Sequence, residues 1–111
     1  SGGQRQSLTL LMTTLALPRV LLLDEHTAAL DPRTATKVMD LTDSMVRENR
    51  LTTLMVTHNM NQALKYGNRM VMLHQGKVQL DIQGEAKQKM SVAEIITEFG
   101  QTLKDETLLS A

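Results

Sequence analysis

The segment Val20-Leu21-Leu22-Leu23-Asp24-Glu25 constrains this chain more than any other. Its continuous apolar run lies between Pro18 and a pair of acids, and a run of this kind fits a strand buried on both faces, as in parallel sheets. Parallel strands need a long crossover, usually a helix, and helical periodicity stands on both sides. Within 4–17, Leu8, Leu11, Met12 and Leu15 fall at i, i+3, i+4, i+7, one face of a helix that Pro18 ends. After the strand, Asp31 suits an N-cap and Pro32 a first helical position. The helix they open should turn Val38, Leu41 and Met45 inward and run to about Asn49.

The same order continues downstream. Leu51 to Thr57 is a second apolar, β-branched run, and Asn59 to Tyr66 a short helix stopped by Gly67. Arg69 to His74 alternates, turns at Gln75-Gly76 and returns through Lys77 to Ile82, the pattern of a hairpin. Ser91 and Glu94 form a capping-box pattern ahead of Val92, Ile95, Ile96 and Phe99, again one helical face. From Gly100 the chain is polar and should fray. The predicted class is α/β, with a mostly parallel sheet, flanking helices and a C-terminal hairpin plus helix.

Composition narrows the function classes. At 111 residues there is room for one small domain or part of a larger one. Twelve basic residues cancel twelve acidic ones, so a nucleic-acid partner is not expected. Cysteine is absent, which removes disulfides, thiol nucleophiles and Cys-ligated zinc. The long charge-free stretches, Ser7 to Pro18 among them, are all shorter than the roughly 20 residues of a membrane helix. A soluble, cytosolic protein is the expectation. Eight methionines against one Phe and one Tyr describe an aliphatic core of helices on a sheet. The chain opens on Ser1 without an initiator methionine, and it reads as a piece of something longer.

Chemistry gathers at the first strand. Two acids at its carboxyl end would sit where open α/β sheets bind ligands. Successive strand side chains point to opposite sides, so Asp24 and Glu25 cannot do the same job. One can hold a hard cation such as magnesium, and the other can face an attacking water. The ordinary alternative is a strand that simply ends in solvated acids. Ser1-Gly2-Gly3-Gln4 at a helix N-terminus would present unobstructed amides and a hydroxyl, an anion-binding nest, unless it is a linker scar. Asp31, past the acid pair, needs no role beyond capping. Thr57-His58 ends the second strand, which would bring His58 to the crevice of Asp24 and Glu25.

Together these residues resemble the ATP-binding subunits of ABC transporters. SGGQRQ is similar to the family's signature motif without its leading leucine, and VLLLDE to Walker B with its catalytic glutamate. AALD resembles the D-loop, and His58 the switch histidine of the H-loop. The later segments THNMNQAL and GNRMVMLHQGKV look importer-like. One departure is His26, where proline is common, and that side chain is not a family contact. The resemblance implies a partial ABC ATPase domain over 1–111: signature and helix in 1–17, a Walker B, D-loop and H-loop core in 18–84, and a C-terminal helix and tail in 85–111. It would be the C-terminal portion of a P-loop NTPase core of RecA-like fold. Asp24 would then bind Mg2+ through water, Glu25 would polarise the attacking water, and His58 would contact the γ-phosphate of ATP. Asp31 would act across a dimer interface, while Ser1, Gly2, Gly3 and Gln4 would grip ATP bound to the opposite subunit. The implied partners are a second nucleotide-binding subunit, most simply a homodimer, membrane permease subunits and a substrate-binding protein. The implied location is cytoplasmic, on the inner face of the membrane.

No G-x-x-x-x-G-K-[ST] occurs in the chain, so it has no amide cradle for the α and β phosphates. The chain alone is expected to be inactive. Two other readings stay open: a natural short module with a binding or regulatory role, and a non-transport ABC ATPase of DNA repair or chromosome maintenance. In the family the P-loop strand lies between the strand ending at Thr57 and the one starting at Arg69. Without it, Arg69 to His74 should close against Leu51 to Thr57, or the chain should associate through its open edges.

Overall fold

A computed structural model of the chain describes residues 2–15 and 18–105. The elements run α1 (Gly2–Leu15), β1 (Val20–Asp24), α2 (Pro32–Asn49), β2 (Thr52–Val56), α3 (Met60–Lys65), β3 (Arg69–His74), β4 (Lys77–Gln83), α4 (Gly84–Lys89) and α5 (Val92–Asp105). They fall into two compact units, Ser1–Thr57 and His58–Ala111. The α/β class agrees with the reading of the sequence. The single mostly parallel sheet does not: β1 pairs with β2 in parallel, and β3 pairs with β4 in a separate antiparallel ladder. The expected closure of Arg69 to His74 onto Leu51 to Thr57 is likewise not formed among the described residues: β3 pairs with β4 alone.

In the first unit, α2 is the crossover that lets β1 and β2 run parallel, in register from Val20 opposite Thr52 to Asp24 opposite Val56. Its limits follow from local chemistry. The Asp31 carboxylate accepts from the Thr34 N–H at 3.3 Å, and Pro32 stands in the first turn. At the other end Arg50 adopts φ 50°, its N–H donating to Arg47 O and that of Leu51 to Val46 O, a Schellman close. Leu21 and Leu23 of β1 pack with Leu10 of α1 and with Leu41 and Met45 of α2.

That packing covers one face of β1 only, which corrects the expectation of a strand buried on both. Leu21 is 3% exposed and Leu22 is 69% exposed; Val20, Leu54 and Val56 share the outward side. Among the described residues two strands and two helices build this unit, and both helices contribute to the covered side. The stripe read from α1 is corrected in the same way at Leu8, Leu11 and Met12, while the side chain of Leu15 lies outside the described residues. Leu8, Leu11 and Met12 are exposed, while Gly3 and Leu10 turn inward, so the helix packs along its Gly3–Leu10 line.

In the second unit, Gln75 (φ 49°) and Gly76 (φ 75°) both take positive φ, the requirement of a two-residue type I′ hairpin turn. Register runs from Met72 opposite Leu80 to Leu73 opposite Val78, leaving Gln79 as a bulge. Met70, Met72 and Ile95 form the core, with Met60, Leu64, Leu80, Met90 and Phe99 packed around them. Ser91 Oγ accepts from the Glu94 N–H at 3.1 Å, as the capping pattern predicts. Ile95 is fully buried, but Ile96 lies outward and α5 continues past Gly100 to Asp105 instead of fraying there, through a non-helical step at Phe99 (φ −123°, ψ 19°). The short helix α4 has no periodic signal to announce it. It is held by Lys87, 3% exposed, whose Nζ donates to Leu64 O, Tyr66 O and Gly67 O at 2.7, 2.9 and 3.0 Å.

Candidate functional site

The site is built from the carboxyl end of β1 upward. Asp24 is the last strand residue, exposed on the same side as Leu22. Glu25 leaves the strand: it is half-buried, with φ 49°, a region that a glutamate seldom occupies. Its N–H still donates to Val56 O at 2.8 Å, while its carbonyl accepts from the Ala28 N–H at 3.0 Å. Asp24 is exposed and Glu25 half-buried, and the left-handed step at Glu25, outside the strand, adds a change of chain direction that alternation does not contain.

The turn then runs through Thr27, which is buried, to Leu30, whose N–H donates to Thr27 O at 3.1 Å, and on to Asp31. Hydrogen bonding from Thr34 holds the Asp31 carboxyl below the usual carboxylate range. The capping role read from the sequence is thus present. The N-terminal end of α1 touches this same turn. A Cβ on Gly2 would come within 3.1 Å of Leu30 Cδ2, and one on Gly3 would overlap the Thr34 methyl. Gly3 is accordingly a packing requirement. Gln4 is exposed, and Ser1 lies outside the described residues.

His58 is exposed and begins the second unit, two residues after Val56. It is followed by Asn59, whose side chain accepts from the Gln62 N–H at 3.1 Å and caps α3.

His26 and Thr42 were not among the residues singled out as functional. His26 Nε2 lies 3.1 Å from Thr42 Oγ1, and that hydroxyl donates to Val38 O at 2.7 Å. Burial pushes the His26 imidazole toward its neutral form. The signal was available: Thr42 is a hydroxyl on the Ala35, Val38, Met39 stripe that faces the core, and a buried hydroxyl demands partners. Gln6, Thr9, Asp24 and His26 line a cleft of about 180 Å³ between α1 and β1. That is smaller than the roughly 300–1,000 Å³ of ligand pockets, so it does not by itself accommodate a nucleotide. Among the described residues no group of three or more His, Cys, Asp or Glu could hold a metal, and no helix is long and apolar enough to cross a membrane.

No family model matches the chain. It is 60% identical over 99 residues to the tyrosine transport ATP-binding protein of Clostridioides difficile (strain R20291), across 89% of this chain and 39% of that protein. It is 38% identical over 103 residues to the energy-coupling factor transporter ATP-binding protein EcfA2 of Bacillus thuringiensis (strain Al Hakam), across 93% of this chain and 34% of that protein. With the aliphatic sulfonates import ATP-binding protein SsuB of Burkholderia ambifaria it shares 42% identity over 83 residues, 75% of this chain and 26% of that protein. The chain is thus a homologue of the ATP-binding proteins of ABC transporters along most of its own length, matching 39% or less of theirs.

Proposed function

We propose that this chain is the C-terminal part of an ABC transporter ATP-binding subunit, and that the full-length subunit hydrolyses ATP to drive transport. The observation that carries this reading is the carboxyl end of β1, where an exposed Asp24 is followed by a half-buried, left-handed Glu25 beside a parallel strand pair. The 60% identity to a tyrosine transport ATP-binding protein supports it, and favours an amino acid as cargo, selected by a permease.

In this reading Glu25 orients and polarises the attacking water, and His58 holds the γ-phosphate. Asp31 relays across a dimer interface, and Ser1, Gly2, Gly3 and Gln4 meet the ATP of the opposite subunit. The helix N-terminus suits that last task, because its oriented amides favour a terminal phosphate. Magnesium, when bound, supplies neutralisation of phosphate charge. Asp24, a lone exposed carboxylate, fits a cation held mainly by phosphate and water. The subunit would work as a dimer, at the inner membrane face through permease subunits, with a substrate-binding protein delivering cargo.

The test is Glu25→Gln in the full-length subunit. Turnover should be lost while ATP binding stays within about threefold, because the amide keeps shape and removes the charge that orients water. Wild-type turnover in this variant would end the assignment. The 111-residue chain alone should show no saturable binding of Mg-ATP by calorimetry, and a micromolar site on it would contradict the proposed division of labour.

A further inference from the structure

We propose that His26 is a positioning residue for Glu25, acting through its hydrogen bond to Thr42. This rests on the reading of Glu25 given above. Glu25 holds φ 49°, a conformation unfavourable for a non-glycine residue, which persists only where its surroundings impose it. On its N-terminal side the constraint is visible: the Glu25 N–H is fixed to Val56 O at 2.8 Å. On its C-terminal side the Glu25 carbonyl accepts from the Ala28 N–H at 3.0 Å within the turn, and the next residue is His26, whose ring reaches α2.

The direction of that contact follows from the hydroxyl's own bonding. Thr42 Oγ1 has one proton, and it is directed to Val38 O at 2.7 Å. The oxygen can therefore only accept at 3.1 Å from His26, so the proton lies on Nε2. The acceptor is rigid, since Thr42 is buried in the middle of α2, an 18-residue helix capped at both ends. Glu25 thus lies between a peptide tied to β2 through its own N–H and a neighbour, His26, whose side chain is tied to α2. The Ala28 bond closes the turn on itself, and the His26 contact anchors that turn to α2; without the anchor the turn could shift and Glu25 relax toward an ordinary negative φ, with its carboxylate swinging out of line.

The experiment uses the full-length ATP-binding subunit, with crystal structures and steady-state ATPase kinetics of His26→Ala, His26→Gln, Thr42→Val and the double variant His26→Ala/Thr42→Val. Glutamine retains a donor near the Nε2 position. His26→Ala should shift Glu25 out of the left-handed region and lower kcat roughly ten- to a hundredfold, with KM for ATP unchanged within about twofold. His26→Gln should recover most of that loss, and the double variant should be no slower than His26→Ala alone. A Glu25 backbone unmoved in His26→Ala overturns the proposal whatever the rates. So does wild-type kcat in His26→Ala, or additive losses in the double variant. Should Glu25→Gln itself retain turnover while His26→Ala still moves the Glu25 backbone, the role given to Glu25 fails and the tie has no catalytic purpose.

Discussion

The two units solve the same problem, a two-stranded sheet with helices on one side, by opposite means. In the second unit the pairing is local. A two-residue turn sets the register of β3 on β4, and the Arg69 guanidinium grips both carboxylate oxygens of Asp81 across the ladder at 2.9 and 2.6 Å. In the first unit β1 and β2 are joined only through the whole of α2, and nothing short-range fixes their register. Long-range pairing has to overcome loop-closure entropy before any contact repays it. The hairpin therefore specifies itself, whereas the parallel pair depends on what is packed against it. The proposed catalytic carboxylate sits on the dependent unit.

The largest effect should separate the two faces of β1. In the 111-residue chain, Leu21→Ala should cost about 2–5 kcal/mol in urea unfolding and Leu22→Ala within about 0.5 kcal/mol. Equal costs would mean that the outward face is covered after all. Next comes Lys87→Met, which keeps the aliphatic stem but deprives three carbonyls of their donor. A loss of about 1.5–3 kcal/mol is expected, confined by hydrogen exchange to the second unit. Loss of protection in α2 instead would count against Lys87 acting through the Leu64, Tyr66 and Gly67 carbonyls.

Gln75→Asn should stabilise the hairpin by several tenths of a kcal/mol, since Asn-Gly suits the type I′ turn better than Gln-Gly; an unchanged melting curve would remove the turn from the account. The smallest effect is electrostatic. The Arg69 hydrogen bond holds the Asp81 carboxyl below the usual carboxylate range, so the pair's contribution is present above the unfolded pKa, about 3.9, and is lost as pH falls through the lower folded value. The melting temperatures of wild type and Arg69→Met should differ slightly at neutral pH and converge in acid.

Elements with a local cause were legible in the sequence, and contacts with a distant cause were not. Asp31 and Pro32 announce the start of α2, Gln75-Gly76 the hairpin, and Ser91 with Glu94 the start of α5, because each acts within four residues. The apolar run of β1 announces a strand but not how many of its faces are covered, since an unbroken apolar run is the same text in either case. The stripe on α1 misled for a related reason. Periodicity reports an apolar face, but Gly3, which lets α1 approach Thr34, has no hydropathy to contribute. Around the candidate site, Asp24, Glu25 and Asp31 were visible as types in order. The left-handed turn at Glu25 and the His26–Thr42 contact, which spans 16 residues, were not.

The overlap that a side chain at position 3 would have with Thr34 makes these two positions a matched pair. Gly3→Ala alone should be rejected, yet joined to Thr34→Gly it should be accepted, so a genetic screen for suppressors of Gly3→Ala would be expected to return changes at position 34. The backbone N–H at position 34 donates to the Asp31 cap, and glycine there retains it, so such suppressors would keep the helix start that carries Asp31. The signature-like segment and the loop behind Asp31 would then drift only in step, as two halves of one inherited joint.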